Sequence, residues 1–145
     1  MTAARILSEK GDAVYTVRPS DTLAQAAATL SAHKVGAAVV VDEAGAPVGV
    51  FSERDLAKAV GAHGGDALAR AVDTVMSTDL VCAEPGVAID DLMGLMTDRR
   101  VRHIIILDDG ALAGVVSIGD VVKRKIAEAE AEAEAESLKA YIEGA

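Results

Sequence analysis

The chain has 145 residues, 51% of them hydrophobic and only 2% aromatic, with 14 basic against 23 acidic side chains and a formal net charge of −9. This length suits one compact domain, and neither the acidic balance nor the shortage of aromatics fits a nucleic-acid binder, which needs a basic face and stacking platforms. No apolar run approaches the ~18 residues that span a bilayer, no leader pattern opens the chain, and the single cysteine, Cys82, excludes an internal disulfide and points to a reducing, cytoplasmic setting.

In chain order, residues 1–13 read as a short lead-in whose strong apolar anchors are Ile6 and Leu7. Val14 to Val17 reads as a short strand. Thr22-Leu-Ala-Gln25 is a capping-box pattern that opens a helix, and Leu23, Ala26, Ala27 and Leu30 fall on one apolar face of it. Ala37 to Val41 is a strand ending at Asp42, Glu43 to Ala46 a turn, and Val48 to Phe51 the next strand. Ser52 starts a helix through Val60, and Gly61 to Asp66 reads as a Gly-rich connector. The order then recurs. Val81 and Cys82 make a short strand, and Ile89, Leu92, Met93 and Met96 repeat the helical face. Ile104 to Leu107 is a strand, Asp109-Gly110 a hairpin turn, and Val115-Val116 the third strand before a helix from Ser117. Met93 and Met96 both read as core, and Cys82 as a small buried hydrophobe. From Ala127 to Glu136 Ala and Glu alternate. Period two suggests a strand, but both residues are strong helix formers that strands avoid, so the expectation is a helical extension. Glu128, Glu132 and Glu136 repel at i, i+4 by a few tenths of a kcal/mol per pair, which favours fraying. Leu138, Tyr141 and Ile142 form an apolar patch at its end.

Residues 17–60 and 83–126 are two copies of one unit. Pro19, Leu23, Leu30, Val35 and Asp42 answer Pro85, Ile89, Met96, Val101 and Asp108 at an offset of 66 (85 − 19). The offset falls to 65 (114 − 49) after one turn residue is lost, so Gly49, Ser52 and Asp55 answer Gly114, Ser117 and Asp120. Each copy is β-α-β-β-α, an α+β unit, and the expected division is 1–66, 67–126 and a tail at 127–145. A unit of roughly 50–60 residues is marginal alone, so the two copies are expected to share a core.

Each last strand ends in Gly-apolar-apolar-Ser-x-x-Asp: GVFSERD from Gly49 and GVVSIGD from Gly114. The Gly permits close approach by a ligand or a neighbouring backbone. The Ser and Asp open a helix, where free amides and the dipole favour an anion. A carboxylate accepts through two oxygens and suits a ribose cis-diol. A single Ser-x-x-Asp is otherwise only a capping box. Here both copies keep Gly, Ser and Asp while Glu53-Arg54 and Ile118-Gly119 differ. The three histidines have no metal-like spacing.

These features together resemble a tandem pair of CBS domains, the module named after cystathionine β-synthase, over residues from about 3 to 125. The resemblance implies two pseudo-symmetric repeats packed together, usually dimerised into a flat disc of four, with an adenine nucleotide (AMP, ADP, ATP or NAD) as regulatory ligand in clefts between the repeats. It implies that Asp55 and Asp120 hold ribose hydroxyls, that Ser52 and Ser117 neighbour ribose or phosphate, with Gly119 beside them, and that backbone at Tyr15-Thr16 and Val81-Cys82 meets the adenine edge. At the start of the second strand, where relatives place phosphate-binding cations, copy two reads Arg102-His103-Ile104 and copy one reads Gly36-Ala37. Copy two thus offers phosphate a cation, with Arg99 and Arg100 nearby, that copy one lacks unless Arg54 substitutes; Arg99 and Arg100 equally suit the C-terminal end of a helix dipole. Three readings follow: a sensor module acting on an unidentified downstream protein, a structural homodimer with vestigial sites, and an enzyme, for which no nucleophile with a base and orienter is evident.

Overall fold

A computed structural model describes residues 1–11 and 14–144. The elements in order are α1 (Ala3–Lys10), β1 (Thr16–Val17), α2 (Leu23–His33), β2 (Ala37–Val41), β3 (Pro47–Ser52), α3 (Glu53–His63), β4 (Cys82–Ala83), α4 (Ile89–Arg99), β5 (His103–Asp108), β6 (Ala111–Ser117) and α5 (Ile118–Gly144). The Thr22–Gln25 capping box forms as the pattern predicts, with the Gln25 amide donating to Thr22 Oγ1 at 3.1 Å and the Thr22 amide to Gln25 Oε1 at 2.9 Å. Val14 and Tyr15 precede β1 rather than lying in it. The Gly61–Asp66 segment is no open connector: α3 runs through Gly61 to His63, and a 3₁₀ helix, Gly64–Ala69, continues it to the fully buried Ala67.

The two three-stranded sheets have the same order, β1-β2-β3 and β4-β5-β6, with the first pair parallel and the second antiparallel. Thr16 faces Val39 in one and Cys82 faces Ile105 in the other, the 66-residue offset again (105 − 39). Ala38 and Val40 point into one core and Ile104 and Ile106 into the other, as period two requires, leaving Val39 and Ile105 buried on the opposite sheet faces.

The core is two clusters, one per repeat, rather than the shared core expected from repeat length. Each is completed by the lead-in of the other repeat. The lead-in at the chain start is a helix, α1, whose Ala3, Ile6 and Leu7 join Ile89, Leu92 and Val116 in the second cluster. Val72, Val75 and Met76, which lead into the second repeat, join Phe51, Leu23 and Leu30 in the first. The crossing contacts recur. Thr2 bridges Ala88 while Ala71 bridges Thr22, and the amides of Ile89 and Leu23 donate to the carbonyls of Met1 (3.0 Å) and Arg70 (2.9 Å). The lead-ins therefore correspond at an offset of 69 (71 − 2).

The motif glycines serve this crossing. A Cβ on Gly114 would lie 2.6 Å from a Leu7 methyl, and one on Gly49 would lie 2.6 Å from Met76 Sδ. The close approach expected of a ligand or a backbone is made chiefly by a side chain of the incoming lead-in. Helix α5 spans 27 residues, about 40 Å, confirming the helical tail. Its first two turns lie against α1, α4 and β6, with Arg124 bonded to Glu9 (3.2 Å) and Lys125 to Asp90 (2.9 Å). From Ala129 to Gly144 every residue is exposed. Among the described residues no helix is long and apolar enough to cross a membrane.

Candidate functional site

Two clefts open where the repeats meet, and each is built from both. In the first, of about 410 Å³, the start of α5 supplies Ser117 and Asp120, facing Tyr15, His33 and the Val35–Ala37 corner of the first repeat, with α1 contributing Leu7 and Lys10. In the second, of about 590 Å³, the start of α3 supplies Ser52, Arg54 and Asp55, facing Arg100 to His103 of the second repeat, with Ser77 and Asp79 from the other lead-in. Gly36, His103 and Ser117 line both, forming a waist between them. Both volumes lie in the range of small-ligand sites.

The carboxylates that head these clefts are held alike. The Ser52 amide donates to Asp55 Oδ2 at 2.9 Å and the Ser117 amide to Asp120 Oδ2 at 2.8 Å. Each serine hydroxyl accepts from the aspartate amide, at 3.3 and 3.1 Å. These are capping boxes, as one reading of Ser-x-x-Asp predicts, and they orient each carboxylate without using Oδ1, which takes no hydrogen bond among the described residues. The helix starts are further fixed by the Glu53 amide donating to the Gly36 carbonyl (2.9 Å) and that of Ile118 to the Arg102 carbonyl (2.8 Å).

The charges around them differ. Lys10 Nζ donates to Asp120 Oδ2 at 2.8 Å and to the Val115 carbonyl at 2.9 Å. Burial alone would push the Asp120 carboxyl up; the Lys10 ammonium and the Ser117 amide outweigh it and hold it below the usual carboxylate range. Burial, reinforced by Lys10, pushes the His103 imidazole down, so it is neutral at pH 7. Counted along the 69-residue offset, Lys10 corresponds to Asp79 (79 − 10), which pairs instead with Arg99 at 2.8 Å. Tyr15 stacks on His33, ring centroids 3.9 Å apart and 13° from parallel, giving the Asp120 cleft an aromatic wall.

The family model for the CBS domain matches residues 3–62 and again 72–126. The chain belongs to the CBS-domain family. The CBS domain-containing protein YhcV of Bacillus subtilis is 35% identical over 114 residues, covering 79% of this chain and 80% of its own. A solved CBS-domain-containing protein of Agrobacterium tumefaciens is 43% identical with a TM-score of 0.80, over 86% of this chain and 92% of its own. A Pyrobaculum aerophilum CBS domain protein, solved complexed with AMP, shares the fold at 23% identity and a TM-score of 0.73, over 83% of this chain and 89% of its own. Inosine-5′-monophosphate dehydrogenases also match, over only 20–22% of their length.

Within the CBS pair the expected site residues regroup. Tyr15, Gly36, Ala37, His103, Ser117 and Asp120 line the Asp120 cleft, and Ser52, Arg54, Asp55 and Arg102 the Asp55 cleft. Arg102 thus joins the carboxylate of the first CBS repeat, not that of its own. Thr16, Val81, Cys82, Ile104 and Gly119 line neither. Ile104 and Val81 are buried in the core, and Thr16, Cys82 and Gly119 are exposed on other surfaces. Two core expectations are corrected: Cys82 is exposed because β4 is a short outer strand, and Met93 is 38% exposed while Met96 is buried. Lys10, His33, Lys58 and Asp79 carry no motif that marks them as cleft residues. A weak signal for the lead-ins existed, since Ile6-Leu7-Ser8 answers Val75-Met76-Ser77.

Proposed function

We propose that this CBS pair is a regulatory module that holds adenosine ligands, AMP, ADP, ATP or NAD among them, in its two clefts and passes their occupancy to a downstream protein. The observation that carries the reading is the pair of carboxylates, Asp55 and Asp120, each held through Oδ2 at a helix start that lines a cleft walled by the other repeat, with Oδ1 unbonded among the described residues. That arrangement suits two adjacent ribose hydroxyls. The AMP bound by the Pyrobaculum protein, which shares the fold, supports the ligand class. The reading is of a binding module rather than a catalyst: the Ser52 hydroxyl does donate to Asp55 Oδ2 at 3.0 Å, but that pair closes a capping box through the Ser52 and Asp55 amides.

The same reading includes a homodimer. Ile118, Val122 and Ile126 repeat every four residues along α5 and are 45, 49 and 54% exposed. An apolar stripe of this kind on a small domain supports burial against a second copy. The test of the ligand is a thermal-shift screen with AMP, ADP, ATP, NAD and their 2′-deoxy analogues. A ligand at 100 times its dissociation constant stabilises by about 2.7 kcal/mol, and loss of the 2′-hydroxyl should remove most of it. No shift with any of them leaves the structural homodimer as the function.

A further inference from the structure

The two clefts are related by the internal repeat, yet their charges do not correspond. The Asp120 cleft contains one cation, Lys10, already bonded to the one ionised acid among its described lining residues, and a neutral His103. The net charge of its described lining residues is zero. The Asp55 cleft is lined by Arg54, Lys58, Arg100 and Arg102 against Glu53, Asp55 and Asp79, a net of +1 (4 − 3), or +2 once the Arg99 bonded to Asp79 is counted. None of those four lining cations has an ion-pair partner among the described residues. The difference arises at matched positions. Arg102 in one cleft answers Gly36 in the other (102 − 36 = 66), and Arg54 answers Gly119 (119 − 54 = 65). At the matched lead-in position, Lys10 caps the diol carboxylate of the first cleft while Asp79 stands in the second.

We infer that the clefts sort ligands by charge: the Asp55 cleft takes adenosine polyphosphates, and the Asp120 cleft takes adenosine whose 5′ position carries no negative charge. This rests on the adenosine reading above. A di- or triphosphate entering the Asp55 cleft meets four uncommitted cations, two of them guanidinium groups at the corner of β5 and α4, which match phosphate oxygens in pairs. In the Asp120 cleft, Lys10 spends two of its three N–H donors and its charge on Val115 and Asp120, so a phosphate finds one donor and no net charge there, and any stronger hold comes only in exchange for the Asp120 pair. Lys123 and Arg124 line not this cleft but an adjoining cavity of about 160 Å³ that shares Lys10 and Asp120 with it, and Arg124 is held by Glu9. An uncharged nucleoside avoids that exchange. It also gains the Tyr15–His33 wall, which has no counterpart among the described residues of the Asp55 cleft. The consequence is a module able to report two adenosine species at once, with His103, Gly36 and Ser117 shared at the waist.

Calorimetry on the full chain decides it, with adenosine and ATP as probes. Adenosine titrated into ATP-saturated protein should still bind, with one equivalent per chain. Raising salt from about 0.05 to 0.5 M should weaken ATP strongly and adenosine little. Arg102→Gln should weaken ATP about tenfold or more and leave the adenosine isotherm within about twofold, whereas Asp120→Asn should remove the adenosine isotherm that survives ATP saturation. Loss of adenosine binding on ATP saturation, or two equivalents of ATP with equal salt dependence, overturns the sorting and leaves the adenosine reading standing. If neither probe binds, both fall together. The saturation experiment needs no variant, so its result does not depend on how Asp120→Asn folds.

Discussion

The crossing of the lead-ins can be tested by adding one methyl group. Gly114→Ala places a Cβ 2.6 and 2.8 Å from the two Leu7 methyls and 3.3 Å from Leu7 Cγ, well inside the ~3.5–4.0 Å contact distance. Leu7 is 7% exposed and packed in the second cluster. Overpacking of this kind costs about 1–3 kcal/mol, offset by about 0.5–1 kcal/mol because Ala is better than Gly in a strand. The net expectation is a loss of about 1 kcal/mol, or about 4 °C in melting temperature for a chain of this size. Leu7→Ala alone should cost about 2–5 kcal/mol. In that background the new methyl meets no clash and fills part of the space, so Gly114→Ala should be neutral or stabilising by up to about 1 kcal/mol. The coupling of about 1–2 kcal/mol is read from urea unfolding of the four proteins. If the cost of Gly114→Ala is the same in both backgrounds within ~0.5 kcal/mol, α1 does not pack on this glycine and the crossing is refuted. The counterpart differs in one respect. A Cβ on Gly49 meets Met76 Sδ at 2.6 Å but also the Ser77 carbonyl oxygen at 3.0 Å, so Met76→Ala should rescue Gly49→Ala only in part.

Further outcomes concern pH and the tail. His103 is held below its ordinary 6.5 in the folded chain, so its contribution to stability is present above about pH 6.5 and is lost as pH falls through the folded value, where the unfolded chain binds the extra proton. Melting temperature followed from pH 7.5 to 5 should fall less steeply for His103→Gln than for the native chain, and coincident slopes would discount the buried neutral imidazole. Asp120 titrates lower, with stability lost only on further acidification. Truncation after Ile126 removes Leu138, Tyr141 and Ile142, which are 60, 77 and 66% exposed. It should leave ligand-induced stabilisation intact while weakening self-association in sedimentation across a dilution series; an unchanged dissociation constant excludes the tail from the interface.

What the sequence determined by itself is everything that depends on near neighbours. The apolar run Ala37–Val41 and the i, i+3, i+4, i+7 face from Leu23 placed strands and helices. The capping boxes at Thr22 and Ser52 set helix starts to within a residue. The strong helix propensity of Ala and Glu outweighed a period-two pattern in the tail. The 66-residue offset, 65 past the shortened turn, carried the duplication and, through Ser52, Asp55, Ser117 and Asp120, the head of each cleft. What only the tertiary structure decided is pairing between distant segments. Lys10 and Asp120 are 110 residues apart, and no local preference says which of two equivalent carboxylates a lead-in will reach. The duplication makes this worse, because each cross-repeat partner has a twin with the same periodicity. Arg102 and Asp120 look like one site along the chain, yet they head different clefts, because each cleft is closed by the start of one repeat's second strand and the helix start of the other. The same geometry explains why Gly49 and Gly114 had a visible constraint without a visible partner: the atoms that exclude a Cβ, Met76 Sδ and the Leu7 methyls, belong to lead-ins whose destination is set by closing two hydrophobic clusters at once.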